Sequence, residues 1–202
     1  MSKIIKVILS AIIIAGCSRS TGNDLLWLAD GDPAAKAEVV IDSELDLIND
    51  GFIIQGGPRD RVIKAKTEIG ALYGKYALQR LEATGKADEV LDIREEPSYE
   101  RRILNHWDNL DNTVERGYAG WSIWHWGEPV PVELIKEYSR LNASIGINGS
   151  VLNNVNATPE MLSREKLERV AEIADIMRPY GIHVYLSVNF SSPAELGGLE
   201  TS

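Results

Sequence analysis

From Arg101 onward the chain repeats one pattern, and that pattern constrains the fold more than any other feature. Arg101–Asn105 is short and apolar in its middle, and reads as a strand. A long loop, Trp107–Pro129, follows. Pro131 can open a helix in which Leu134, Ile135, Tyr138 and Leu141 keep helical spacing. Ile145–Leu152 reads as a second strand. Ser163 can cap a second helix with Leu167, Val170, Ala171, Ala174 and Met177 as its inner stripe, and Gly181 ends it. His183–Val188 is a third strand. Strand, helix, strand, helix, strand is the repeat of a parallel α/β structure.

Three polar clusters share a position in this repeat. Trp107-Asp108-Asn109, Asn153–Asn156 and Asn189–Ser191 each follow the carboxyl end of a strand. In a (β/α)8 barrel that is the end at which sites are built. Three βα units cannot close such a barrel, and Thr201-Ser202 falls where a loop is expected. Residues 98–202 are therefore expected to be the beginning of a barrel in an amino-terminal fragment of a longer enzyme.

The stretch Arg101–Trp126 holds four of the five tryptophans. Aromatic rings beside amides and carboxylates suit a sugar, whose apolar face stacks on a ring while its hydroxyls take in-plane donors and acceptors. Trp107, past a strand end, reads as a substrate contact, although a ring there could also plug a barrel mouth. Asp108 reads equally as a turn residue bonding its own backbone or as a sugar contact. Asn109, Asn153 and Asn156 are candidates for hydroxyl contacts or for loop scaffolding. Trp124 and Trp126, at period two, and Trp121 before them read as a hairpin or strand face that packs in the core or covers the site. His106 and His183 read as structural.

Upstream, residues 25–97 read as a small α+β accessory domain. Val39–Ile41, Phe52–Ile54 and Arg61–Lys66 are strands, with Gly56-Gly57-Pro58 as a turn between the last two. Thr67 can cap a helix carrying one apolar stripe, Ile69, Leu72, Tyr73 and Tyr76, and Gly85 sits where a C-terminal glycine belongs. Gly70 and Gly74 cost about 1 kcal/mol each in a helix interior, which close approach to a sheet would offset. Residues 1–18 read as a lipoprotein-type signal. Lys3 and Lys6 are its positive end, the apolar run is too short to span a bilayer, and Ile14-Ala15-Gly16 precedes Cys17. By its likeness to a bacterial lipobox, Cys17 would be lipidated, and residues 19–24 would be a polar tether. That implies export to the cell envelope, periplasm or outer membrane, with a lipid anchor.

Against 21 basic residues stand 30 acidic ones, a net charge of −9, and no basic block occurs, so a nucleic-acid partner is not expected. The single cysteine excludes an internal disulfide. The three histidines show no metal-ligand spacing, and no metal is expected.

Five long strings carry a resemblance: GFIIQGG at Gly51–Gly57, HWDN at His106–Asn109, NTVERGYAG at Asn112–Gly120, INGSVLNNVNA at Ile147–Ala157 and YLSVNFSSP at Tyr185–Pro193. The sequence resembles the bacterial α-glucuronidases of glycoside hydrolase family 67. The resemblance implies a two-layer α+β amino-terminal domain followed by the first βα units of a truncated (β/α)8 TIM barrel. It implies inverting hydrolysis of (4-O-methyl-)glucuronic acid from xylo-oligosaccharides, without cofactor, and dimers formed through a helical region absent here. Inversion needs an acid and a base roughly 6.5–9.5 Å apart. The resemblance puts both beyond Ser202, so no catalytic residue is expected within this chain. It makes Trp107 a stacking residue and Val155 the apolar position near an O-methyl group. Two other readings stand beside it: a carbohydrate-binding lipoprotein without chemistry, and a structural accessory domain.

Overall fold

A computed structural model describes residues 36–197 apart from 155 and 157. The signal, the tether, Cys17 and Val155 therefore lie outside the described residues, as does the loop expected at Thr201-Ser202. Two sheets organise the rest. The first takes β1 (Glu38–Ile41), β2 (Phe52–Gly56), β3 (Val62–Ala65) and β4 (Leu91–Glu95) in the order β1-β3-β2-β4. β1 runs parallel to β3, and the other pairs are antiparallel. The three expected strands are present. β4 was not expected: LDIRE is short and charged, and its pairing with β2 at the sheet edge supplies what its composition lacks.

Helix α1 (Glu68–Ala83) starts as expected. The Thr67 hydroxyl accepts from the Gly70 amide at 3.1 Å and donates to the Asn49 carbonyl at 2.5 Å. Gly85 closes the end at φ +67°. The two interior glycines answer to packing. A Cβ on Gly70 would lie 2.5 Å from the Gly51 carbonyl oxygen, and one on Gly74 would lie 2.6 Å from Ile63 Cγ2. The single stripe is corrected. All nine residues Gly70–Leu78 are buried, because α1 has the first sheet on one side and the next helix, α2, on the other. The core is continuous across both units: Leu72 and Tyr76 belong with Trp124, Ile135 and Ile173.

The second sheet is β5 (Ile103–Asn105), β6 (Gly149–Val151) and β7 (His183–Tyr185), parallel and in sequence order. The connections contain α2 (Val132–Ser144) and α3 (Arg164–Met177), which pack against each other on one face of the sheet. A short helix, α4 (Ser192–Gly197), follows β7. Ser163 caps α3 by accepting from Lys166 N at 3.4 Å. Gly181, at φ +71°, ends the 3-10 turn that follows the helix.

Several sequence-based boundaries and faces shift. The second strand starts at Gly149, because Ile145–Ile147 closes α2: Ile145 and Ile147 both donate to the Asn142 carbonyl, and Gly146 turns at φ +82°. The third strand stops at Tyr185. On α2, Ile135 is buried and Tyr138 partly so, whereas Leu134 (44% exposed) and Leu141 (51%) face out. Ser139 and Asn142 take their place inward, because each bonds a carbonyl one turn back and can be buried without cost. On α3, Ile173 and Met177 are central and Ala171 is exposed. Past β5 the tryptophan stretch contains no further regular strand, only the isolated bridges of Asp108 to Val114 and of Thr113 to Trp121.

Candidate functional site

Parallel pairing brings the three polar clusters to one end of the second sheet, and backbone bonds carry the ladder past the strands. His106 N donates to the Val151 carbonyl (3.0 Å), Leu152 N to Tyr185 O (3.1 Å) and Asn154 N to Asp108 O (2.9 Å). Side chains in such a ladder alternate between faces. Leu104, His106, Ser150, Leu152, Val184 and Leu186 point to the helices. Ile103, Asn105, Gly149, Val151, His183 and Tyr185 point to the open face: a Cβ on Gly149 would meet both Ile103 and Tyr185, whereas exposure does not separate the faces of edge strand β5, with Ile103 at 36% and Leu104 at 37%.

The same count divides His106–Asn109. Trp107 continues the row of Ile103 and Asn105 onto the open face and is 41% exposed. His106 faces the helices. Its Nε2 is 2.7 Å from the Tyr138 hydroxyl, which lies 3.0 Å from Ser150 Oγ, and its ring meets Trp124 edge-on at 5.1 Å. Burial holds His106 below the usual histidine range, with Asp108 opposing that effect. Burial also raises the Tyr138 hydroxyl. Asp108 points the same way as His106. It is 3% exposed, and Oδ1 lies 3.8 Å from His106 Nδ1. So Trp107 and Asp108, neighbours in sequence, look in opposite directions.

The amides work mainly as connectors. Asn153, 1% exposed, clasps the backbone of Ser187: Nδ2 donates to its carbonyl (2.9 Å), and Oδ1 accepts from its N–H (2.9 Å). Asn109 Nδ2 donates to Thr113 Oγ1 (2.9 Å) and Glu115 O (3.0 Å), while its Oδ1 accepts from Asn154 Nδ2 (3.2 Å). Asn156 has an exposed side chain and donates through its backbone to Asn154 Oδ1 at 2.9 Å. Asn189 Oδ1 accepts from the backbone and hydroxyl of Ser191, which closes a turn. Sequence reasoning missed Asn105 and Ser187. Counting by two from Trp107 back to Asn105 would have found the first. Nothing local marks Ser187, whose part is played by its backbone.

The loop after Trp107 folds back as a ribbon. Asp108 bridges Val114, with Asn109 N donating to Thr113 O and Glu115 N to Trp107 O, both at 2.8 Å. Asn112, at φ +67°, makes the turn, and asparagine tolerates that conformation. Asp111 Oδ1 accepts from Thr113 N and Oγ1, which holds its carboxyl below the usual range. Thr113 then bridges Trp121. The three later tryptophans do not share a role. Trp124 (0%) and Trp126 (3%) are core, whereas Trp121 is 61% exposed. The strand-face reading fails: Trp121 and Trp124 are three residues apart and would fall on opposite faces of an extended chain, and His125, at φ +48°, breaks the chain between Trp124 and Trp126. Asn112 clasps the Trp126 backbone at both N–H (2.6 Å) and C=O (2.9 Å), and Arg169 donates to the Trp124 and His125 carbonyls. Among the described residues no group of three His, Cys, Asp or Glu side chains is placed to hold a metal ion.

A model of the glycosyl hydrolase family 67 middle domain matches residues 81–202. The chain is 43% identical to alpha-glucuronidase A of Emericella nidulans over 175 residues, which is 83% of this chain and 20% of that protein. It is 43% identical to a probable alpha-glucuronidase A of Neosartorya fischeri over 160 residues, 78% of this chain and 19% of that one. Both relatives are fungal. The chain thus spans about a fifth of the length of these curated relatives. Among solved structures it resembles a Streptomyces plicatus N-acetyl-beta-hexosaminidase in complex with Thio-NAglucal, with TM-score 0.56 and 14% identity over 86% of this chain and 40% of that one. It also resembles a family 20 beta-N-acetylhexosaminidase from Streptomyces coelicolor A3(2), with TM-score 0.54 and 14% identity over 84% and 40%. At that identity the likeness is one of fold.

Proposed function

We propose that this chain, which belongs to glycosyl hydrolase family 67, forms one wall of an α-glucuronidase site that removes (4-O-methyl-)glucuronic acid from xylo-oligosaccharides. The observation that carries the reading is Trp107: an indole 41% exposed on the open face, just past the carboxyl end of β5, in a chain 43% identical to an alpha-glucuronidase A. A rigid ring on a strand end suits a pyranose face. Its neighbours Asn109 and Asn153 spend their amides holding loops, which fixes where the ring stands. In this reading Asn105, Asn156 and Val155 are the further substrate contacts, and Asp108 holds His106 from behind.

The parallel β5–β6–β7 sheet, with both helices on one face and the polar loops at one end, supports the start of a (β/α)8 barrel. The first sheet with α1 is then the two-layer accessory unit in front of it. The acid and base of an inverting mechanism would come from other βα loops of the whole protein, because the one carboxylate nearest Trp107 in sequence, Asp108, is buried against a histidine. Cys17 would carry a lipid anchor and place the enzyme in the cell envelope. Acyl mass on a mature N-terminal Cys17 is the test of that part.

The functional test is release of glucuronic acid from aldouronic oligosaccharides by the full-length protein. Trp107→Ala should lower kcat/KM at least about tenfold, the cost of losing one well-packed ring contact. Absence of release by the parent, or full activity in Trp107→Ala, would refute the reading.

A further inference from the structure

We propose that Trp121 is a second sugar platform, which holds the xylose chain of the oligosaccharide at a distance from the glucuronic acid. The inference rests on the functional reading above. Its basis is the ribbon built on the loop after β5. In antiparallel pairing, residues directly opposite each other point to the same face, and so do residues two apart on one strand. Asp108 opposite Val114 defines one face. Trp107 and Asn109, which flank Asp108, define the other. Asn109 stands opposite Thr113, as its bond from Nδ2 to Thr113 Oγ1 confirms, and Thr113 stands opposite Trp121. Trp107 and Trp121 therefore rise from the same face of one ribbon. They are two strand spacings and two residues apart, roughly 12 Å between Cα atoms.

The exposures agree with this assignment. Of the three later tryptophans, Trp124 and Trp126 are buried in the core, but Trp121 is 61% exposed. More than half of this indole is open to a ligand, on a backbone fixed by the ribbon's bonds. Ser122 N donates to Asn112 O at 2.8 Å, and the Asn112 side chain clasps Trp126. The backbone that carries the ring is thus held in place before anything binds. The polar groups between the two rings are already engaged. Asn109 bonds Thr113, and Thr113 Oγ1 donates to Asp111 Oδ1 at 2.6 Å. What the face offers a ligand is two separated aromatic rings over a low polar floor. A span longer than one pyranose between two rings fits a chain of sugars, not a monosaccharide. With the uronic acid at Trp107, the ring at Trp121 meets the neutral backbone of the substrate.

The test compares glucuronylated xylose, too short to reach Trp121, with glucuronylated xylotetraose in the full-length protein. The parent should favour the longer substrate. Trp121→Ala should cut the kcat/KM ratio of longer to shorter about tenfold, from roughly 50 Å² of apolar ring face no longer withdrawn from water. The loss should fall in KM rather than kcat, because stacking far from the reacting bond is uniform binding. Trp121→Phe should keep most of the ratio, and melting midpoints of both variants should match the parent. A parent ratio near one, or a ratio in Trp121→Ala within twofold of the parent, would overturn the inference while leaving the functional reading intact. Failure of the parent to release glucuronic acid from either substrate would sink the functional reading and this inference together.

Discussion

Asn153→Ala should destabilise the protein by about 2–3 kcal/mol, although Asn153 lies in a loop and touches no other side chain through its amide. The amide makes three hydrogen bonds: Nδ2 to Ser187 O at 2.9 Å and to Asn154 O at 3.2 Å, and Oδ1 from Ser187 N at 2.9 Å. Each net bond is worth about 1 kcal/mol, and a buried partner left unpaired costs up to about 3 kcal/mol. Ser187 is half-buried, so water can reach part of what the mutation exposes, which keeps the sum near the lower end. A loss of that size should lower Tm by about 5–10 °C in a chain of this length. Asn153→Asp separates the two halves of the clasp. The carboxylate still accepts from Ser187 N but faces Ser187 O without a proton, so this variant should be no more stable than Asn153→Ala at neutral pH and should recover when acidified. Urea melts of both variants, with Ser187 amide exchange as a local probe, give the measurement. A loss below about 0.5 kcal/mol in Asn153→Ala, within the range of ordinary surface substitutions, would refute the clasp as the joint between the two loops.

Gly70→Ala sets helix propensity against packing. Propensity alone favours alanine by about 1 kcal/mol, but its Cβ would lie 2.5 Å from Gly51 O and 2.9 Å from Asn49 O, both backbone atoms, so a net loss of about 1–3 kcal/mol is expected in denaturant melts. Gly149→Ala should cost a similar amount, because its Cβ meets Ile103 Cγ1 at 2.8 Å and Tyr185 Cε2 at 2.9 Å, and Ile103→Ala in the same chain should return part of it. His106 gives a pH signature. Burial lowers its folded pKa, so below an unfolded value of about 6.5 the unfolded chain binds more protons. Its contribution to stability is full above that pH, falls as pH drops through it, and levels off below the folded pKa. His106→Phe should remove that segment of the stability–pH curve, and an unchanged slope between pH 5 and pH 7 would contradict the assignment.

Much of the local structure was legible in the sequence because it is decided by groups a few residues apart. Thr67 and Ser163 cap helices by bonding amides three residues on, and Gly85 and Gly181 end turns that need positive φ. The three polar clusters fall at one end of a sheet because parallel strands joined by helices leave no other arrangement. Other features wait on partners far along the chain. LDIRE becomes a strand through pairing with β2, and α1 is buried all round because a sheet and a helix close on it from opposite sides. The site divides in the same way. The sequence placed Trp107, Asp108 and the asparagines together as polar and aromatic groups suited to a sugar. Only the ladder's alternation separates Trp107 from Asp108, and only the contact with Ser187, 34 residues away, turns Asn153 into a joint. Trp121, Trp124 and Trp126 look equivalent in the sequence. A positive φ at His125 and the Asn112 clasp bury two of them, and the bridge to Thr113 leaves the third in solvent. Propensity and capping act over one turn, and the chain carries that information in itself. Which face meets core and which meets water depends on long-range contacts, and the folded structure decides it.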